Sequence, residues 1–213
     1  MIILIGSRKG GCGKSTVAVN VAAELAGQGQ DVVLVDTDPQ RTTAAWAHDR
    51  EEIEGMSKVL CEEHHNNIGD KLLDLSPHYN YVVVDTAGRD SREWRTGMAV
   101  ADLLIVPLRP SQPDLDTLPH LNDLVSQAKQ LNDKLIVRAL LTMVPTNPHI
   151  RETEEALEIL GDYPAIVPLS AMIRDRKVYR DAISEGRSVG EMHNPKARQE
   201  MHQLMKELFD HET

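Results

Sequence analysis

The sequence predicts an α/β fold, a mostly parallel twisted sheet with helices on both faces. Three observations carry this prediction. Apolar runs alternate with helix-like stretches along the whole chain, the pattern of repeated βαβ units. The strand candidates read as near-continuous Val, Ile and Leu, as expected of strands covered on both faces. The first of them runs directly into a glycine-rich segment, Lys9-Gly10-Gly11-Cys12-Gly13-Lys14-Ser15-Thr16, of the kind that wraps phosphate groups before a helix.

In chain order, strands are expected at residues 1–6, 31–36, 81–85, 103–108, 135–144 and 165–168, with a weaker edge strand at 57–61. A helix over 16–27 places Val17, Val21, Ala22 and Leu25 on one face and stops at Gly27 and Gly29. Residues 113–131 repeat Leu115, Leu118, Leu121, Leu124 and Val125 at helical spacing, and 151–160 and 195–209 follow the same logic. There is no internal repeat, no low-complexity tract and no dividing linker, so residues 1–213 are expected to form a single domain.

A plain phosphate loop reads G-x-x-x-x-G-K-[ST], and Arg8 stands where its first glycine would be. The chemistry survives this departure. Gly10, Gly11 and Gly13 let backbone N–H groups turn inward, Lys14 reaches the β- and γ-phosphates, and the Ser15 hydroxyl suits Mg²⁺. The helix that follows adds its positive dipole end. Cys12 occupies the loop's variable position, which calls for a small residue. With Cys61 it makes up the cysteine content, without a C-x-x-C pair to suggest zinc or an iron–sulfur cluster.

Two more strand ends add carboxylates. Asp36-Thr37-Asp38-Pro39-Gln40 closes one strand, and Asp85-Thr86-Ala87-Gly88 closes another. Strand ends of open α/β sheets face the ligand crevice. Asp-Pro by itself reads as a turn before a helix. Beside a phosphate loop the pair instead suits a metal's surroundings and a positioned water. An apolar strand ending in Asp is how P-loop NTPases hold phosphate-bound Mg²⁺. Gly88 and the polar run Arg89-Asp90-Ser91 read as a switch sensing the γ-phosphate.

Taken together, Lys9–Thr16, Asp36–Gln40 and Asp85-Thr86 resemble the ParA/MinD group of deviant Walker-A ATPases, over essentially the whole chain. Arg8 and the Asp-Pro-Gln ending are more similar to ParA, since MinD-like, Mrp-like and nitrogenase-reductase-like loops usually carry glycine at that place. Residues 173–191, with Arg176, Tyr179, Ala182, Gly186 and Val189, also resemble the small plasmid-type ParA proteins, which lack an N-terminal helix-turn-helix domain. With the given sequence starting six residues before its first strand ends, none is expected here. The resemblance implies a P-loop NTPase fold that binds ATP and Mg²⁺. It implies catalytic roles for Lys9, Lys14 and Asp38, with Lys9 crossing a dimer interface to the partner's phosphates and Asp38 positioning water. Nucleotide contacts fall on Gly10, Gly11, Cys12, Gly13, Lys14, Ser15 and Thr16, with Thr16 at the α-phosphate. Metal contacts fall on Ser15, Asp36 and Asp85, and adenine contacts on the strand ends holding Thr142 and Pro168. The implied partners are a second copy of the chain when ATP is bound, nonspecific DNA, and a centromere-binding protein that stimulates hydrolysis. The implied location is cytoplasmic, on the nucleoid.

Composition bears on these partners. A net charge of −10 repels nucleic acid on average, and an aromatic content of 3% argues against a base-stacking platform. Residues 174–198 nevertheless hold seven Lys/Arg against four acids, a net +3 against −13 for the rest. Arg174, Lys177, Arg180, Arg187, Lys196 and Arg198 are therefore the candidate phosphate contacts, doubled in a dimer. Arg176 instead suits the nucleotide pocket or the dimer interface. The last helix aligns Met201, Leu204, Met205, Leu208 and Phe209, and an acidic ending makes it a core helix rather than a membrane-surface one. The Glu62-Glu63-His64-His65 run reads as a polar loop, not a metal cluster. The rival readings are a ParA-like positioner of a protein cargo, a MinD-like membrane-associated regulator, and a dethiobiotin-synthetase-like ligase. The signature lysine and the Asp-Thr-Asp-Pro-Gln motif disfavour the ligase.

Overall fold

The computed structural model describes residues 1–88, 91–147 and 150–209. Seven strands form one sheet: β1 (Ile2–Ile5), β2 (Val32–Asp36), β3 (Leu60–Glu63), β4 (Tyr81–Asp85), β5 (Leu103–Leu108), β6 (Ile136–Val144) and β7 (Val167–Arg174). Their spatial order is β3-β2-β4-β1-β5-β6-β7, and every neighbouring pair is parallel. This is the P-loop NTPase-like fold that the sequence predicts. The helices are α1 (Lys14–Gly27), α2 (Thr42–Glu51), α3 (Gly69–Leu75), α4 (Arg92–Met98), α5 (Gln112–Leu115), α6 (Leu118–Leu131), α7 (Glu152–Leu160), α8 (Lys177–Ser184) and α9 (Pro195–Phe209).

The continuous apolar strands explain the layering. Ile2 and Leu4 of β1 belong to one buried cluster together with α3, α4 and α6, while Ile3 and Ile5 belong to the other with α1, α8 and α9. Side chains alternate between faces along each strand, so a run without polar residues must be covered on both sides. α1 is apolar nearly all round, with Val17, Ala18, Val19, Val21, Ala22 and Leu25 buried, because it lies between the sheet and the α8–α9 segment.

Several expected boundaries move. The weak edge strand lies at Leu60–Glu63 rather than 57–61, so Glu62 and Glu63 are strand residues, bridged to Lys71 and Arg41, and not a polar loop. The single helix expected over 113–131 is two helices. Pro119 has no N–H to continue a helix and its ring clashes with the preceding turn, so α5 stops and α6 starts again one turn later. The strand expected at 165–168 runs on to Arg174. Helices α2, α3, α4 and α8 lie outside the helix ranges that the sequence predicts. α9 directs its apolar stripe at the domain: Ala197, Met201, Leu204 and Met205 are buried, and Phe209 meets Tyr81 edge-on. Among the described residues no helix is long and apolar enough to cross a membrane.

Candidate active site

The chain enters at the centre of the sheet and returns on either side, so the C-terminal ends of β1, β2 and β4 come together. The register aligns Ile5 with Asp85 and Asp85 with Asp36. An open cleft of about 670 Å³ lies over these ends, lined by the glycines and Lys14–Thr16 of the phosphate loop, by Asp38–Gln40 and by Ala87-Gly88. This is where open α/β sheets bind ligands.

Gly13 stands at φ 86°, a left-handed conformation that suits glycine, and begins α1 without any side-chain cap. The first turn of α1 also carries no acidic residue. Its N-terminal N–H groups and positive dipole end therefore face the cleft with no protein anion on the helix to offset them. Lys14 is buried and its ammonium donates to the Lys9 carbonyl at 3.0 Å. Cys12 is fully buried and is not among the residues lining the cleft. Its thiol lies 2.8 Å from the Ser7 hydroxyl, 3.4 Å from the Lys9 carbonyl and 4.0 Å from the Lys14 ammonium, so the side chain packs beneath the loop. Gly88 closes the other wall. A Cβ there would lie 2.7 Å from the Gly10 backbone, so only glycine lets this segment approach the loop. The switch residues Arg89 and Asp90 lie outside the described residues, and Ser91 caps α4 by accepting the Trp94 N–H.

The three carboxylates divide the work. Asp36 is buried and accepts the N–H of Asp38 (2.9 Å) and of Ala44 (2.9 Å), fixing the loop after β2 and the start of α2. Each oxygen ties one backbone N–H, in addition to the metal contact that the resemblance implies for this residue. Asp38 is half-exposed at the cleft and accepts the Gln40 N–H through one oxygen. Asp85 is fully buried, and among the described residues neither of its oxygens meets a hydrogen-bond donor at proper geometry. Burial pushes its pKa up to about 7, aided by Asp36 and opposed by the nearby Ser15 hydroxyl and Lys14. Two orphaned carboxylate oxygens facing a serine hydroxyl are the donor set of a hard divalent cation, so Mg²⁺ fits Asp85 and Ser15.

Lys9 is half-buried, one residue before the cleft-lining Gly10, and among the described residues its ammonium has no hydrogen-bond or ion-pair partner. Thr142 and Pro168 separate. Thr142 lines a small pocket of about 40 Å³ that adjoins the main cleft through Gly13, Thr16 and Met143. Pro168 pairs with Ala139 in the first half of β7, six residues before that strand's C-terminal end at Arg174. That is roughly 20 Å from the crevice end at strand rise. The expected adenine contact at Pro168 is thus misplaced, because β7 continues past it. The residues that occupy this wall instead are Ile173, Arg176 and Tyr179. Ile183 of α8 and the strand-end Met143 also reach the cleft. Only the αL backbone at Met143, φ 52°, marks it as special, and no sequence pattern announces that.

The basic stretch does not form one free face. Arg174 is half-buried and donates to the Pro145 carbonyl, Lys177 pairs with Asp181, Arg180 with Asp175, and Arg187 with Glu185. Arg176 is held by Glu200, an acid from outside the stretch. Lys196 and Arg198 are exposed at the start of α9 and have no ion pair among the described residues.

Residues 3–189 match the family described as the CobQ/CobB/MinD/ParA nucleotide binding domain. A maintenance of carboxysome distribution protein A from Halothiobacillus neapolitanus is 30% identical over 97% of this chain and 95% of its own length. A ParA protein from Rhizobium radiobacter is 32% identical over 72% of this chain and 68% of its own. Among solved structures, apo McdA from Cyanothece superposes with a TM-score of 0.83 at 16% identity, covering 98% of this chain and 99% of that one. An ATP complex of a Cyanothece McdA variant gives 0.82 at 16% identity, covering 98% of this chain and 96% of that one.

Proposed function

From the premise that this chain belongs to the CobQ/CobB/MinD/ParA nucleotide-binding family, we propose that it is an ATP-hydrolysing dimer switch that positions a protein cargo over DNA. The observation that carries the switch is the Lys9 ammonium, without a partner among the described residues, directly before the glycines of a cleft whose own lysine, Lys14, is already held by a carbonyl. A second copy docking across that cleft would bring its Lys9 to this chain's phosphates, so nucleotide state and dimerisation become one equilibrium. Phosphoryl transfer depends on positioning and charge stabilisation, and a cation supplied across an interface serves both.

Within the subunit, Lys14 leaves the Lys9 carbonyl for the β- and γ-phosphates, and the uncapped N-terminus of α1 holds the same oxygens. Asp38, fixed by its turn to Gln40, orients the attacking water. Asp85 and Ser15 would hold Mg²⁺, which would neutralise charge on the phosphate oxygens. The wall of Ile173, Arg176 and Tyr179 beside the main cleft flanks the base, which the adjoining pocket is too small to enclose.

The protein-cargo reading rests on the Halothiobacillus relative, which matches from end to end. Partition of a plasmid or chromosome through a centromere-binding protein is the second reading, favoured by the Rhizobium relative. Sizing chromatography with ADP and with ATP, each with and without plasmid DNA, tests the switch. An ATP-dependent dimer that co-elutes with DNA supports it, and a monomer indifferent to ATP and DNA would sink it. Lys9→Gln is expected to bind nucleotide as wild type does and to lose the ATP-dependent dimer. Deleting the gene in its host separates the cargo readings. Mislocalised protein assemblies with normal replicon retention support the first, and replicon loss the second.

A further inference from the structure

Thr142 is buried near the end of β6, and its hydroxyl lies 2.7 Å from the Cys12 carbonyl of the phosphate loop and 3.3 Å from the Leu108 carbonyl at the end of β5. A threonine hydroxyl has one hydrogen to give, and the shorter contact takes the larger share. We propose that Thr142 is a positioning residue that locks the phosphate loop through the Cys12 carbonyl, rather than a contact to the base. The inference deepens the phosphate-site reading above and rests on it.

The geometry of the peptide unit gives the reason. All peptide bonds in the described chain are trans, so the N–H of Gly13 points opposite to the Cys12 carbonyl. With that carbonyl drawn toward β6, the Gly13 N–H is directed at the cleft that Gly13 lines. A loop built of glycines has little intrinsic preference between this orientation and the flipped one. The flipped peptide would present a carbonyl oxygen to the phosphates and repel them. Glycine supplies the freedom to form the loop, and Thr142 removes the wrong half of that freedom.

A second observation points the same way. Met143, the next residue, stands in the left-handed region at φ 52°, and the pairing of β6 with β7 slips between Leu141 and Val144. Strain of this kind in a non-glycine residue persists where the surrounding structure has a use for it. Here the slip lets Thr142 reach the loop while the Met143 side chain stays in the cleft and in the adjoining pocket.

The test compares wild type, Thr142→Val and Thr142→Ser at a temperature where each is fully folded. ATP and inorganic tripolyphosphate compete against a fluorescent ADP analogue. Thr142→Val keeps the shape and removes the hydroxyl, and is expected to weaken ATP and tripolyphosphate alike by about tenfold. Thr142→Ser is expected to bind both as wild type does. Should the valine variant fail to fold, Thr142→Ala carries the same comparison. Weaker ATP with unchanged tripolyphosphate would assign Thr142 to the base and overturn the inference. So would unchanged binding of both ligands by the valine variant, or a serine variant as weak as the valine one. A wild-type chain that binds neither ligand overturns the phosphate-site reading, and this inference with it.

Discussion

Asp85 shows how a single residue can be costly to the fold and useful to the site. Its carboxylate is fully buried with both oxygens unpartnered among the described residues, and burial works against its charge. Asp85→Asn removes that desolvated charge with little change of shape. It is expected to raise the melting temperature of the nucleotide-free protein while abolishing the Mg²⁺ dependence of ATP affinity, as calorimetry and titration with and without EDTA can check. The sequence marks Asp85 clearly, as it does Asp36 and Asp38. It does not say which of the three is left without partners. That depends on where the N–H groups of Asp38 and Ala44 fall, and both fall on Asp36.

At the scale of elements, the unforeseen part is the tie between α2 and the segment after α8. Arg50 is buried, donates to the Ser57 and Gly186 carbonyls, and forms two hydrogen bonds with Glu191, while Trp46 lies 5.1 Å from its guanidinium and donates to the Arg187 carbonyl. Breaking a buried pair leaves an uncompensated charge, so Arg50→Met is expected to cost about 3 kcal/mol in denaturant unfolding. The pH dependence has a definite sign. Burial alone would push Glu191 up, but the Arg50 guanidinium and the Ser188 N–H hold it below the ordinary glutamate range. The stability from this pair is therefore fully present above about pH 5 and is lost as pH falls through and below the ordinary glutamate value. The gap between wild type and Arg50→Met should narrow over that interval. An arginine in an apparently polar stretch gives no warning of this, because its partner lies 141 residues away.

For the whole molecule, the proposed DNA contact has to be reconciled with an acidic balance and with a basic stretch most of whose cations are already paired. Lys196 and Arg198, exposed and without ion pairs among the described residues, are the cations best placed to release counterions. Replacing both with Ala is expected to weaken nonspecific DNA binding uniformly across sequences, and to reduce the salt slope by about two in filter-binding titrations. A slope unchanged by the double variant would move the DNA surface elsewhere. The sequence by itself determined the layered α/β architecture, since apolar runs without alternation have to be covered on both faces. It also determined the phosphate loop and the three strand-end carboxylates, because those motifs are local and their chemistry is carried by neighbouring residues. Where β7 ends, which basic side chains are already paired, and which carboxylate stands orphaned were decided only by the tertiary structure. So was the contact between Thr142 and the loop, 130 residues apart in the chain. Each of these depends on groups brought together by strand order and register, and a linear pattern holds no record of those distances.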